Sequence, residues 1–229
     1  GGILADDMGL GKTVQTIAAM LRAAARDPRL PPFLVIAPTS VVANWSAELT
    51  RFAPSLRTTV LTSTKDSVAD AARDSHVVLT SYALLRLDAD AYRGVEWAGV
   101  VMDEAQFVKN PRTKAYRAVK NLRARTCLAI TGTPMENNLM ELWALLSITT
   151  PGLFPTPRHF IEFFRRPIES GDRCGRLALL RRRIKPVMLR RTKDQVVGDL
   201  PPKQEQTVAP DRPVPVGQRA RQRVFFRLP

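Results

Sequence analysis

Six short apolar runs, at 1–5, 33–37, 58–61, 76–80, 97–102 and 126–131, alternate with helical patterns around 13–26, 41–52, 66–73, 112–124 and 137–148. That rhythm restricts the chain more than any single residue does. Short runs that are apolar throughout suit strands buried on both faces, and the helices between them suit right-handed crossovers. The pattern predicts an α/β fold with a parallel sheet flanked by helices. In such a sheet, ligands gather beyond the carboxyl ends of the strands. After Thr150 the rhythm stops. Pro151, Pro155 and Pro157 break it, Phe160, Phe163 and Phe164 mark an amphipathic helix, and Leu177 to Ile184 reads as another before Pro186. The expected organisation is an α/β lobe over 1–150, a helical appendage over 151–198 and a linker over 199–229. That linker ends in an irregular tail carrying Pro210, Pro213, Pro215, Arg219, Arg221, Arg223 and Arg227.

The first apolar run leads into Asp7-Met8-Gly9-Leu10-Gly11-Lys12-Thr13 and then into helix-forming residues. Strand, glycine-containing loop and helix is the setting a phosphate loop requires. Gly9 and Gly11 allow dihedrals that bring backbone N–H groups onto an anion, and the helix N-terminus adds its positive end. Lys12 suits the β- and γ-phosphates and Thr13 suits Mg²⁺. Asp6 stands where the usual pattern has its first glycine. The plain alternative is a glycine-rich turn capping a helix.

A second run, Val100-Val101-Met102, ends in Asp103-Glu104-Ala105-Gln106. Asp103 suits Mg²⁺, which prefers oxygen ligands and keeps several waters. Glu104 suits the orientation or deprotonation of an attacking water. A lone acidic pair would read as a favourable helix start. Beside a phosphate loop it reads as the other half of a nucleotide site, with ATP and Mg²⁺ as its ligands.

These motifs, in order, resemble the SNF2 family of superfamily 2 helicase-like ATPases. Gly2 to Ile17 resembles motif I, and the family accepts a residue other than glycine at Asp6. Leu34-Val35-Ile36-Ala37-Pro38-Thr39-Ser40-Val41-Val42-Ala43-Asn44-Trp45 is similar to motif Ia, and Val77 to Tyr82 to the strand-end motif that follows. Asp103 to Gln106 with Lys109-Asn110-Pro111 resembles motif II. Leu128 to Pro134, then Asn137-Asn138-Leu139 and Glu141-Leu142-Trp143, resembles motif III and its helix. Pro151 to Phe154, Met188 to Lys193 and Leu200 to Lys203 resemble segments peculiar to SNF2 proteins.

The resemblance covers about 1–208 and implies a RecA-like ATP-binding lobe. It implies that Gln106, with Thr131, Gly132 and Thr133, couples the nucleotide to a second RecA-like lobe. It also implies that Thr39, Ser40, Thr80 and Ser81 touch one DNA strand. The second lobe, its arginine fingers and an upstream adenine-clasping segment are expected outside this sequence, whose last residues read as a truncated or frameshifted ending, with a genuine divergent tail as the alternative.

The formal charge of +14 and pI near 10.8 call for a polyanionic partner, and duplex DNA is the leading one. Arg181-Arg182-Arg183, Lys185, Arg190, Arg191 and Lys193 form one basic block; Arg112, Lys114, Arg117, Lys120, Arg123 and Arg125 form another on an expected helix. Phosphate contact is expected of Arg190 and Arg191. Read from the residues, Thr39 or Ser40 also suits a helix cap, and Trp45, which shares a face with Leu49 and Phe52, suits the core. The two cysteines give no metal spacing and no disulfide framework. No long apolar span appears, so no membrane partner is expected. Arginine- and alanine-rich composition leans toward a bacterial source, with residence in the cytoplasm and nucleoid; in a eukaryote the place would be the nucleus. Competing readings are a strand-separating helicase, a non-catalytic nucleic-acid-binding module and a small-molecule kinase. A DNA-bound protein would be the target of a translocase.

Overall fold

A computed structural model describes residues 1–135, 138–171 and 175–196. The expectations for Asn137, Cys174, Leu200 to Lys203 and the 199–229 tail lie outside these residues.

The apolar runs form strands β1 (Gly2–Leu4), β2 (Phe33–Ala37), β3 (Thr58–Val60), β4 (Val77–Ser81), β6 (Gly99–Met102) and β8 (Cys127–Ile130). With β9 (Met188–Leu189) they make a seven-stranded sheet in the order β3-β4-β2-β6-β8-β1-β9. Every pairing in it is parallel. The helices are α1 (Lys12–Arg26), α2 (Thr39–Phe52), α3 (Val68–Asp74), α4 (Tyr82–Leu87), α5 (Ala89–Arg93), α6 (Lys114–Lys120), α7 (Leu139–Thr149), α8 (Pro157–Phe160), α9 (Arg166–Glu169), α10 (Arg176–Ile184) and α11 (Lys193–Val196).

Strand alternation sorts the core into two layers, because successive side chains point to opposite faces. Leu34 and Ile36 of β2 pack with Leu85, Val119, Trp143 and Leu145 from α4, α6 and α7. Phe33, Val35 and Ala37 of the same strand pack with Ile17, Met20, Trp45 and Leu49 from α1 and α2. The helices beyond residue 150 join the first layer. Phe154, Phe160 and Phe164 form an aromatic group there, with edge-on centroid distances of 5.1 Å and 5.4 Å from Phe154. Residues 1–196 make one compact unit.

Two helices are added to the sequence expectations and two expectations are corrected. The stretch between β4 and β5 (Glu96–Trp97) holds α4 and α5, each too short to display a helical period. The helix expected over 112–124 ends at Lys120, and Arg123–Ala124 (β7) pairs with β5 in a separate two-stranded sheet. The second basic run is therefore not one helical face: Arg117 donates to the Arg112 carbonyl, Lys120 to the Ser147 carbonyl, and Arg125 pairs with Glu96. Finally, Met188–Leu189, expected within the helical appendage, returns to the sheet beside β1.

Candidate nucleotide-binding site

The phosphate loop joins β1 to α1. Gly9 (φ 86°) and Gly11 (φ 70°) both take left-handed backbone, which a side chain would strain. Gly11 is the residue before α1 and offers no side-chain cap, so the helix N-terminus stays open to an anion. The Lys12 ammonium folds across the loop and donates to the carbonyls of Asp6 (2.7 Å) and Asp7 (3.1 Å). Thr13 stands in the first turn of α1 beside it, and Met8 projects from the loop tip, 75 % exposed.

Asp6 has no exposed surface. Its carboxylate accepts from the Arg191 backbone N–H (2.9 Å) and from Arg191 Nε (3.1 Å) and Nη2. Burial pushes this carboxyl upward, but the hydrogen bonds and charge of Arg191 outweigh it and hold it below the ordinary aspartate value. The residue that departs from the usual loop pattern thus has a partner near the end of the described chain.

The second strand end is built around Asp103. Its Oδ2 accepts from Trp45 Nε1 (2.8 Å) and its Oδ1 from the Glu104 backbone N–H (2.9 Å). The Tyr82 hydroxyl donates to its carbonyl (2.8 Å). Burial raises the Asp103 carboxyl above its ordinary value and the Glu104 charge adds to the rise. The donors from Trp45 and Glu104, and the charge of Lys12, act the other way. Glu104 alone among the described non-glycine residues has positive φ (47°). Such a conformation costs on the order of 1 kcal/mol or more and persists where the surroundings impose it. Gln106 is exposed in the 3-10 turn Ala105–Val108 that follows. From the end of that turn, Lys109, whose side chain is buried, reaches the half-buried Glu141 of α7 at 3.6 Å.

Thr131, Gly132 and Thr133 follow β8, which lies between β1 and β6. The Thr131 N–H donates to the Leu4 carbonyl (3.1 Å) at the root of the phosphate loop, and its hydroxyl accepts from the Thr133 N–H. A Cβ on Gly132 would meet Met8 at 3.7 Å. Thr131 and Gly132 therefore lie beside the phosphate loop, at its root and near Met8.

The expected DNA contacts divide. Thr39 and Ser40 are exposed at the end of β2, and α2 begins with Pro38 as its cap and no side-chain bond, so the cap reading of these hydroxyls is overturned. Ser81 is instead the cap of α4, accepting from the Leu84 N–H. Thr80 is 0 % exposed, with its hydroxyl bonded to Tyr92. Its side chain cannot reach DNA in this arrangement. Arg190 is exposed, whereas Arg191, though its side chain is 39% exposed, has its guanidinium bonded to Asp6 and Gln15.

Sequence reasoning placed Trp45 in the core and missed its second role. The indole is buried, and its N–H aims at the carboxylate expected to hold Mg²⁺. Trp45→Phe keeps most of the packing and deletes that donor. The expected result in metal-free protein is an Asp103 carboxyl that titrates higher, because a bond favouring the ionised form is gone. Since the folded value is already raised, Asp103 costs stability above that value, and the cost fades as pH falls toward 3.8. Melting curves across acidic pH, in chelator, check this: the stability gain on acidification should begin at higher pH in Trp45→Phe.

A parallel sheet with a phosphate loop at one strand end and an acidic pair two strands away defines a P-loop nucleotide-binding lobe of the RecA-like kind. Within that class, the chain belongs to the SNF2-related domain family, whose model matches residues 1–211. It is similar to the chromatin-remodeling ATPase INO80 of Arabidopsis thaliana, 40% identical over 225 residues, spanning 90% of this chain and 15% of that protein. It is similar also to the putative ATP-dependent helicase/translocase YwqA of Bacillus subtilis, 40% identical over 212 residues, spanning 90% of this chain and 23% of that one. Among solved structures, the Sulfolobus solfataricus SWI2/SNF2 ATPase core in complex with dsDNA superposes with a TM-score of 0.78 at 43% identity, over 88% of this chain and 42% of that one. The chain thus spans less than half the length of these relatives. They come from a plant, a bacterium and an archaeon, and a bacterial source gains no support from them.

Proposed function

We propose that this chain is the first motor lobe of an ATP-driven double-stranded-DNA translocase. The observation that carries the reading is that β1 and β6 flank β8 in one parallel sheet, so the phosphate loop and the Asp103-Glu104 pair leave the same edge of it. The charge of Lys12 also lowers the Asp103 carboxyl, against the larger effect of burial, which supports assigning both strand ends to one site. Lys12 and the N–H groups of the loop from Asp7 to Thr13 would bind the triphosphate, and Thr13 and Asp103 would hold Mg²⁺. The donor set fits a hard cation: a hydroxyl and a carboxylate whose oxygens keep lone pairs beyond the two N–H groups they accept. When bound, Mg²⁺ neutralises phosphate charge. Glu104 orients and deprotonates the attacking water.

The exposed start of α2, with Thr39 and Ser40, and the exposed Arg190 are the places we assign to the DNA backbone; phosphate hydrogen bonds position a protein without reading sequence. Ser81 would contribute through backbone rather than its capped side chain. Exposed apolar side chains of Met8, Phe107 and Met135 border the site and suit a second RecA-like lobe. Gln106 and Thr131 to Thr133 would pass nucleotide state to that lobe. The target is a DNA-bound protein, and the compartment is wherever the DNA lies: nucleus in a eukaryote, nucleoid in a bacterium.

Mg-ATP hydrolysis should be measured with and without duplex DNA, on this lobe and on a chain extended by a second lobe, each beside Lys12→Ala. Only the extended protein should respond to duplex, and Lys12→Ala should abolish the response. The lobe alone should turn over slower by on the order of 10³ or more, the contribution of transition-state arginines elsewhere. Salt-dependent duplex binding without hydrolysis by either protein would install the binding-module reading instead.

A further inference from the structure

The segment that follows α10 does something the motor reading does not ask of it. It enters the sheet as β9, so that Ala5 N–H donates to the Leu189 carbonyl (2.7 Å), then crosses the phosphate loop. There Asp7 N–H donates to the Arg191 carbonyl (3.1 Å) and the Lys193 N–H donates to the Asp7 carboxylate (3.2 Å). The Arg191 guanidinium grips both legs of the loop. One edge holds Asp6, at the start. Nη2 also donates to Gln15 Oε1 (2.6 Å), and Gln15 Nε2 donates to the Leu10 carbonyl (2.8 Å), near the loop's end. A Cβ on Gly9 would lie 3.8 Å from Lys193 Cε and Nζ, which puts a second ammonium over the loop tip.

We propose that residues 188–193 form a latch on the phosphate loop, in which Arg191 is a positioning residue that sets the loop's nucleotide-binding shape through Asp6 and Gln15, and Lys193 adds a second cation for the phosphates. This rests on the nucleotide reading above and extends it. A phosphate loop binds through backbone N–H groups, so its affinity depends on how well its backbone is pre-shaped. Asp6 has no solvent to turn to: the fork of the Arg191 guanidinium holds its Oδ2 and the Arg191 backbone N–H its Oδ1, which fixes orientation as well as charge. Latch and nucleotide then stabilise each other reciprocally: whatever factor the latch adds to nucleotide affinity, nucleotide adds to latch closure.

The test is titration of a fluorescent Mg-ADP analogue into the unaltered chain, Arg191→Lys, Asp6→Asn/Arg191→Gln, Lys193→Ala and Lys12→Ala, with melting temperature recorded for each. Arg191→Lys keeps a charge for Asp6 but loses the fork and the reach to Gln15. It should weaken binding on the order of tenfold while melting close to the unaltered chain. The neutral pair, which leaves no buried charge stranded, should weaken it similarly. Lys193→Ala should weaken it less, and its loss should shrink with added salt. Nucleotide should slow hydrogen exchange at the amides of Leu189 and Arg191 in the unaltered chain and not in Arg191→Lys. Equal affinity in the unaltered chain, Arg191→Lys and the neutral pair would overturn the latch and leave the nucleotide site standing. Failure of the folded, unaltered chain to bind the nucleotide at all would overturn both.

Discussion

Glu104→Gln, in a chain extended by its second lobe, is expected to lower DNA-stimulated ATP hydrolysis by roughly 10²–10⁴, the usual worth of a positioned acid–base group. Mg-ATP affinity should stay within a few-fold. The two halves of this expectation follow from separate features. Phosphate binding is assigned to the loop and to Lys12, whose ammonium bonds the Asp6 and Asp7 carbonyls. Glu104 is held apart at a left-handed φ of 47°, its own N–H tied to the carboxylate of Asp103. Glutamine accepts the same backbone and reproduces most of the shape, but cannot take a proton. Asp103→Asn should behave differently and lose Mg²⁺ dependence together with hydrolysis. Steady-state rates against Mg-ATP concentration separate the cases: a lowered kcat at unchanged KM for Glu104→Gln, a raised KM for Asp103→Asn. Retained hydrolysis in Glu104→Gln would remove Glu104 from the chemistry.

The second large effect lies far from the nucleotide. Phe160 has no exposed surface and packs against Phe154 and Phe164, at 5.1 Å and 5.6 Å between centroids. Phe160→Ala should cost roughly 3–5 kcal/mol, the range for deleting a buried aromatic side chain. In a chain of this size that is a fall in Tm of roughly 6–20 °C. The aromatic group shares one core with Trp143, Leu145 and the inner face of β2. Melting should therefore remain a single transition, with the phosphate loop lost at the same temperature as the helices beyond residue 150. Two transitions in calorimetry, the first sparing nucleotide binding, would make those helices a separate unit.

What could be read from sequence was local. The phosphate loop and the acidic pair are contiguous strings, and each advertises its strand by a purely apolar approach, so the strand ends that carry Lys12, Thr13, Asp103 and Glu104 were legible at once. Partners far apart in the chain were not. Arg191 and Asp6 are 185 positions apart, and a basic block reads the same whether it faces DNA or turns inward to a buried carboxylate. Thr80 looked like a strand-end hydroxyl free for phosphate because the short helix carrying Tyr92 has no period to announce it. Trp45 was correctly placed among core residues, since Leu49 shares its face. Its indole N–H carries no sequence signal, and only the arrival of Asp103 at the end of β6 gives it a function. Two-residue strands such as β9 fall below any pattern of alternation.

The short strands have a consequence for handling the protein in solution. The sheet ends on one side in Thr58–Val60 and on the other in Met188–Leu189. Beside the second lies Gly2–Leu4, whose unpaired N–H and C=O groups would otherwise form an open hydrogen-bonding edge able to recruit a foreign strand. A two-residue cover satisfies that rim yet is itself too short to template further growth. Detaching residues 188–193 would thus do more than alter nucleotide affinity: it would bare a sticky border, and self-association on storage would report a loosened strap before any loss of fold.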